Sequence, residues 1–181
     1  TACMVKSGYS TAIHEAGHAV VGLVRDLDVV SMTIIPAEDF TGMAFVSNSV
    51  SATALREGVG HGLAPTEVVD AFKWIEGRAL CLLAGVTAQH IFSGEWQMDG
   101  AEDDMNELAE WVGNAYRPPE QHHGESPPYE PPFLLDPDAD VLAECWDRWG
   151  GECRDILKKN WAWVEAVAQA AMDGDGTVTG D

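Results

Sequence analysis

His14, Glu15 and His18 stand in the order H-E-x-x-H within Ser10-Thr11-Ala12-Ile13-His14-Glu15-Ala16-Gly17-His18-Ala19-Val20-Val21. On a helix, four residues make about one turn, so both imidazoles leave the same face. A pair placed in this way can hold one Zn²⁺, each nitrogen about 2.0–2.1 Å from the metal. Glu15 is their neighbour on the helix surface. It can reach a water at the metal without being a ligand, which is the arrangement of a general base in metal-assisted hydrolysis. The flanking Ala12, Ile13, Ala16, Ala19, Val20 and Val21 predict a buried helix, where two histidines and a carboxylate need a purpose. Gly17 costs about 1 kcal/mol in a helix interior and predicts close approach by another element. The five-residue string also arises by chance in ordinary helices, so it needs support from the rest of the chain.

A catalytic zinc takes three protein ligands and keeps one position open. The third ligand must be a His, Asp or Glu from elsewhere. His61 falls in a loop-like stretch, and His90 lies near the end of a long apolar helix. The densest group of carboxylates runs from Asp99 to Glu107, and spacing does not choose among Asp99, Glu102, Asp103, Asp104 and Glu107. His122-His123 makes a poor metal pair in a proline-rich stretch. The tail Asp173-Gly174-Asp175-Gly176 matches the middle of a calcium loop, but its first position would be Ala171, which has no ligating oxygen. A helix stop and a turn is the better reading there.

These residues need elements to position them. Ser10 or Thr11 predicts the N-cap of a first helix reaching about Arg25 or Asp26, after a short lead-in. Val29 to Pro36 and Met43 to Ser47 read as two short strands, a hairpin or sheet edge separated by a turn. Residues 48–65 read as a loop. Pro65-Thr66 opens a long helix in which Val69, Phe72, Ile75, Leu80, Leu83, Val86 and Ile91 recur at helical spacing, and Ser93-Gly94 ends it. A third, acidic helix spans about Ala101 to Val112. Prolines crowd residues 117–138 and predict an extended excursion. Residues 139–172 read as a C-terminal helical region that Gly150-Gly151 bends or divides. The fold class is therefore mainly α with a small two- to three-stranded β element after the first helix. One domain covers 1–181, its catalytic core at 10–116.

The chain has 181 residues, 46% of them hydrophobic, enough for one full-sized core. Its net charge of −20, with 30 acidic against 10 basic residues, offers no basic footprint for nucleic acid or for an anionic membrane. No apolar run approaches the roughly 18–20 residues of a membrane span, and no signal peptide is expected at its start. Cys3, Cys81, Cys145 and Cys153 form no C-x-x-C and read as reduced thiols of a cytoplasmic protein.

Four separated blocks occur in order: Thr11-Ala12-Ile13-His14-Glu15-Ala16-Gly17-His18-Ala19-Val20-Val21-Gly22; Val30-Ser31-Met32-Thr33-Ile34-Ile35-Pro36; Ala84-Gly85-Val86-Thr87-Ala88-Gln89-His90-Ile91-Phe92-Ser93-Gly94; and Gly100-Ala101-Glu102-Asp103-Asp104. Together they resemble the peptidase domain of FtsH-type zinc metallopeptidases, from about Thr11 onward. The resemblance implies a zincin-like domain with His14, His18 and Asp104 as zinc ligands and Glu15 as catalytic base. That family shows G-G-R-A-A-E-E near the end of its long helix, where this chain has Ala84-Gly85-Val86-Thr87-Ala88-Gln89-His90. The acidic residues expected to orient a ligand histidine are replaced, leaving Gln89 or His90 for that role.

The expected function is a zinc-dependent endopeptidase acting on unfolded or extended polypeptides. Glu15 would take a proton from the attacking water and return it to the leaving amine. Gly42, Met43, Ala44, Phe45 and Val46 would bind the substrate as an added strand. The alternative is a catalytically silent zinc-binding interaction module. The resemblance also implies an ATPase partner, in cis or in trans, and six-membered rings held partly by that ATPase. If the chain is an excised domain, the cytoplasmic part of a membrane-anchored protein is the matching location.

Overall fold

The computed structural model describes residues 2–36, 42–47, 65–98, 100–116, 132–136 and 138–180. Along them run α1 (Ala2–Val24), β1 (Val29–Thr33), β2 (Met43–Val46), α2 (Pro65–Ser93), α3 (Glu102–Tyr116), α4 (Val141–Lys159), α5 (Trp161–Asp173) and β3 (Thr177–Thr179). The described architecture is mainly helical with one small antiparallel sheet. No described helix is long and apolar enough to cross a membrane. His61, Asp99, His122-His123 and residues 117–131 lie outside the described residues.

A helix segment buried on every side must be apolar on nearly every side, and the stretch of α2 from Ala79 to Ala88 meets that condition. Ala79, Leu80, Cys81, Leu82, Leu83, Ala84, Val86 and Ala88 are all buried, because α1, α3 and α4 pack around this one helix. Gly17 explains how α1 gets close: a Cβ there would lie 2.8 Å from both the Ala84 carbonyl oxygen and the Ala88 methyl. The cost of a helix glycine, about 1 kcal/mol, is offset by that contact.

α1 begins at Ala2, so the expected lead-in is part of the helix, and Ser10 and Thr11 lie inside it rather than capping it. Ser10 instead serves Gln89. Its carbonyl and its Oγ both accept hydrogen bonds from Gln89 Nε2, at 3.4 and 3.2 Å. α3 extends to Tyr116, four residues past the expected end, because Ala115 and Tyr116 bury against the core. The C-terminal region divides at Asn160 and not at Gly150-Gly151. Gly150 is buried on the inner face of α4 beside the Trp146 ring, so a missing side chain is an advantage there. At Asn160 the backbone leaves helical geometry, and the Asn160 side chain donates to the Ile156 carbonyl at 2.8 Å. Asp140 caps α4, accepting from the backbone N–H of Leu142 and Ala143.

The sheet has the order β2-β1-β3. Met32 faces Ala44 on one side and Val178 on the other. Strand β3 falls where a helix stop and turn was expected. Asp175 accepts from the Thr177 N–H to make that turn, and three residues then pair with β1. Val29, Met32 and Val46 join the core, whereas Val30, Met43 and Phe45 stay exposed.

Candidate metal centre

The i,i+4 spacing on α1 turns His14 and His18 toward α2 and α3, and the ring centroids lie 4.7 Å apart. Asp104 arrives from the first turn of α3. Its Oδ2 lies 3.1 Å from Nε2 of His14 and 3.1 Å from Nε2 of His18. These donor atoms form a group able to hold a metal ion. Both histidines are buried and Asp104 is partly buried. Of the acidic candidates from Glu102 to Glu107, only Asp104 joins this group.

The far side of each ring fixes what the near side offers. His18 Nδ1 donates to the backbone carbonyl of Cys81 at 2.7 Å. His14 Nδ1 donates to Gln89 Oε1 at 3.0 Å. Because Gln89 Nε2 is committed to Ser10, its Oε1 is the atom facing His14. A neutral imidazole carries one N–H, so both Nε2 atoms present lone pairs. Those two lone pairs converge on a carboxylate oxygen, which is also an acceptor. Three acceptors so close repel unless a proton or a metal ion stands among them. Donors held tetrahedrally at about 2.0–2.1 Å from a zinc ion would be about 3.3 Å apart, close to the spacing observed. The N, N, O donor set suits zinc.

Gly85 is what makes room. A Cβ at this position would collide with Nε2 of both histidines. Sequence reasoning has this glycine within a motif, but the reason for it emerges only from the packing of α2 over the two rings.

The charges follow from the geometry. Burial works against a charged His18, but the Asp104 carboxylate beside it prevails and raises His18 well above its usual value. Burial likewise works against a charged Asp104, but the neighbouring imidazoles hold it well below the usual carboxylate range. In the metal-free site the proton therefore sits on His18, facing an ionised Asp104. Burial pushes the Glu15 carboxyl upward, opposed by His18 and His14.

Glu15 lies under the first residues of the strand segment. A Cβ on Gly42 would be 2.8 Å from Glu15 Oε1, and the backbone N–H of Ala44 faces the same carboxylate. Gly42, Met43, Ala44, Phe45 and Val46 form one wall of a cleft of about 440 Å³ that also reaches His14, Glu15, His18 and Asp104. The other wall carries Asp103, Arg78 and Glu107. A larger groove of about 690 Å³ among Leu23, Val24, Ile156 and Trp163 brings no imidazole with it.

Gln89 meets His14, but His90 does not: its ring stacks on Trp96, with centroids 4.0 Å apart. Adjacent helix positions point about 100° apart, so only one of the two can face α1. Arg78 went unnoticed in the sequence. The signal was a lone cation at the head of the otherwise apolar run Ala79 to Val86. Comparison of the sequence with protein-family models and with curated proteins returns no match.

Proposed function

We propose that this protein is a zinc-dependent endopeptidase that hydrolyses extended or unfolded polypeptides, as the resemblance of its four motif blocks to FtsH-type peptidase domains suggests. One observation carries the reading: Nε2 of His14 and Nε2 of His18 converge on Asp104 Oδ2, with the Glu15 carboxylate lining the same open cleft. His14, His18 and Asp104 would hold the ion. When bound, Zn²⁺ supplies Lewis-acid chemistry, acidifying water and polarising a carbonyl.

The chain's own residues do the rest. Glu15 accepts the proton of the attacking water and delivers it to the amine that leaves. Its burial favours the protonated form it must take up midway. The β2 side of the cleft supplies substrate placement. Strand β1 is paired on both sides, by β2 and β3, whereas β2 has β1 as its one described neighbour. The outer edge of β2 therefore offers backbone groups to an extended peptide lying across the cleft. Recognition through backbone atoms fits many sequences.

The test uses the full chain. Zinc analysis is expected to give about one ion per chain, lost in His14→Ala and in Asp104→Ala. The zinc-loaded protein is expected to cleave unfolded casein, and Glu15→Gln to keep zinc while losing roughly 10²–10⁴-fold in rate. A wild-type protein without zinc affinity overturns the reading. Zinc binding with no cleavage, with or without an added unfoldase, selects the silent interaction module instead.

A further inference from the structure

Glu107 sits three residues after Asp104 on α3, on the same side of the helix, and lines the same cleft. It is the carboxylate one turn from a ligand in the same cleft, yet it stands outside the His14, His18, Asp104 group. The reason is visible. Arg78, from α2, donates to Glu107 Oε1 through Nε at 3.1 Å and through Nη2 at 2.8 Å. Trp111 Nε1, one turn further along α3, donates to the same oxygen at 3.2 Å. Three donors from two helices meet on one carboxylate oxygen.

The clamp is stiff. The Arg78 side chain is only 11% exposed, and Trp111 is buried with its ring against Trp74. The Glu107 side chain is 37% exposed, so the pair is shielded on its arginine side and open to solvent on its carboxylate side, and its directionality comes from charge-assisted hydrogen bonds. Arg78 ties α2 to α3 through this pair and also faces Cys81 Sγ at 4.0 Å. Its neighbours Ala79 and Leu80 are buried apolar residues.

We propose that Arg78 is a positioning residue: by holding Glu107 back, it keeps one coordination position of the metal open for water and substrate. The inference rests on the metal reading of the site. It adds that this chain carries a competing carboxylate beside its ligands and a dedicated group to restrain it. Removing the guanidinium releases Glu107 to swing onto the ion. The site then closes in the manner of a structural metal centre.

The experiment reads coordination rather than turnover. The full chain is loaded with Co²⁺ in place of zinc, and the visible spectrum and the binding of acetohydroxamate are followed. Wild type is expected to show the intense bands of four-coordinate cobalt and to bind the hydroxamate. Arg78→Met is expected to bind cobalt, to show a spectrum altered by an added carboxylate, and to lose hydroxamate affinity by at least roughly tenfold. Arg78→Met with Glu107→Gln is expected to restore both. Glu107→Gln alone is expected to match wild type. A rescue of this kind would not follow from a merely structural role.

An Arg78→Met protein with wild-type spectrum and hydroxamate affinity overturns the inference, as does a double variant no better than the single. Loss of folding in both Arg78→Met and Arg78→Gln makes the arginine a structural residue and overturns it too. A wild-type chain that takes up no cobalt overturns the metal reading itself, so the two failures are distinguishable.

Discussion

Gly85 lies against the Nε2 edge of His14, so close that a single methyl group on its Cα could not fit. The same methyl would strike His18. The two nitrogens on offer to a metal therefore keep the space beside them free because the residue facing them has no side chain. Gly85→Ala is expected to push both rings out of position and to lower zinc affinity by at least roughly 10–100-fold, the range seen when groups behind metal ligands are disturbed. Helical content should persist, since alanine favours a helix over glycine. Metal titration alongside circular dichroism checks both halves.

Gln89 holds His14 as a neutral amide where the resembling family has acids. Gln89→Leu removes the acceptor for His14 Nδ1 and the donor to Ser10 together. Zinc affinity is expected to fall by roughly 10–100-fold, while His90→Leu leaves it within about twofold of wild type. Competition against a chelator of known affinity measures both. Equal losses in the two variants would contradict the assignment.

Much of the site is legible in the sequence, for a physical reason. An i,i+4 pair on an apolar helix is local information, so His14, Glu15 and His18 can be read from their spacing. Asp104 cannot be picked out by spacing, since its place depends on how α3 meets α1. It comes from a motif resemblance. The Cys81 carbonyl that orients His18 is invisible, because every residue has a carbonyl. Strand β3 escapes notice because three residues between glycines carry too little pattern to distinguish a strand from a tail. The break at Asn160 is misplaced to Gly150-Gly151 since glycine signals both flexibility and tight packing, and only the buried Trp146 contact tells which applies.

Metal binding should release a proton. In the metal-free site His18 is raised and Asp104 lowered, so a proton occupies the space an ion would take. As pH rises through and above 6.5, that proton competes less well, and zinc affinity is expected to climb by up to about tenfold per pH unit. Sign follows for the metal-free fold as well. The His18 contribution to stability is full below its unfolded value of about 6.5 and is lost as pH rises through the higher folded value. The Asp104 contribution is present above about 3.9 and is lost as pH falls toward its lower folded value. Calorimetry in buffers of differing ionisation enthalpy counts the proton; melting in chelator across pH tests the stability.

The buried thiols make a separate case. Burial pushes Cys145 and Cys153 up to about 12 each. The unfolded chain ionises these groups near 9, so their contribution to stability is full below about pH 9 and is lost as pH climbs toward 12, at about 1.4 kcal/mol per unit and group. At pH 8 both should resist alkylation in the native state and react readily in denaturant. Peptide-level mass spectrometry after iodoacetamide resolves each cysteine. Rapid native labelling of Cys153 would mean that α4 opens locally.

Gly42 passes over Glu15 so closely that Gly42→Ala must displace either the strand segment or the carboxylate. Zinc content is expected to stay at the wild-type level, because no ligand is touched. Casein cleavage is expected to drop by roughly tenfold or more, since a small misplacement of a catalytic group is costly. Unchanged turnover would show that the carboxylate has slack.

Strand β1 is joined on one side by β2, close in sequence, and on the other by β3, where Thr33 Oγ1 donates to the Gly176 carbonyl across 143 residues. A ribosome must therefore extend the chain through Thr179 before this sheet is complete. Contacts of such long range are slow to form, so β3 joins an edge of β1 that β2, on the other side, does not need. A nascent chain therefore holds His14, Glu15, His18 and Asp104 well before β1 has both of its neighbours.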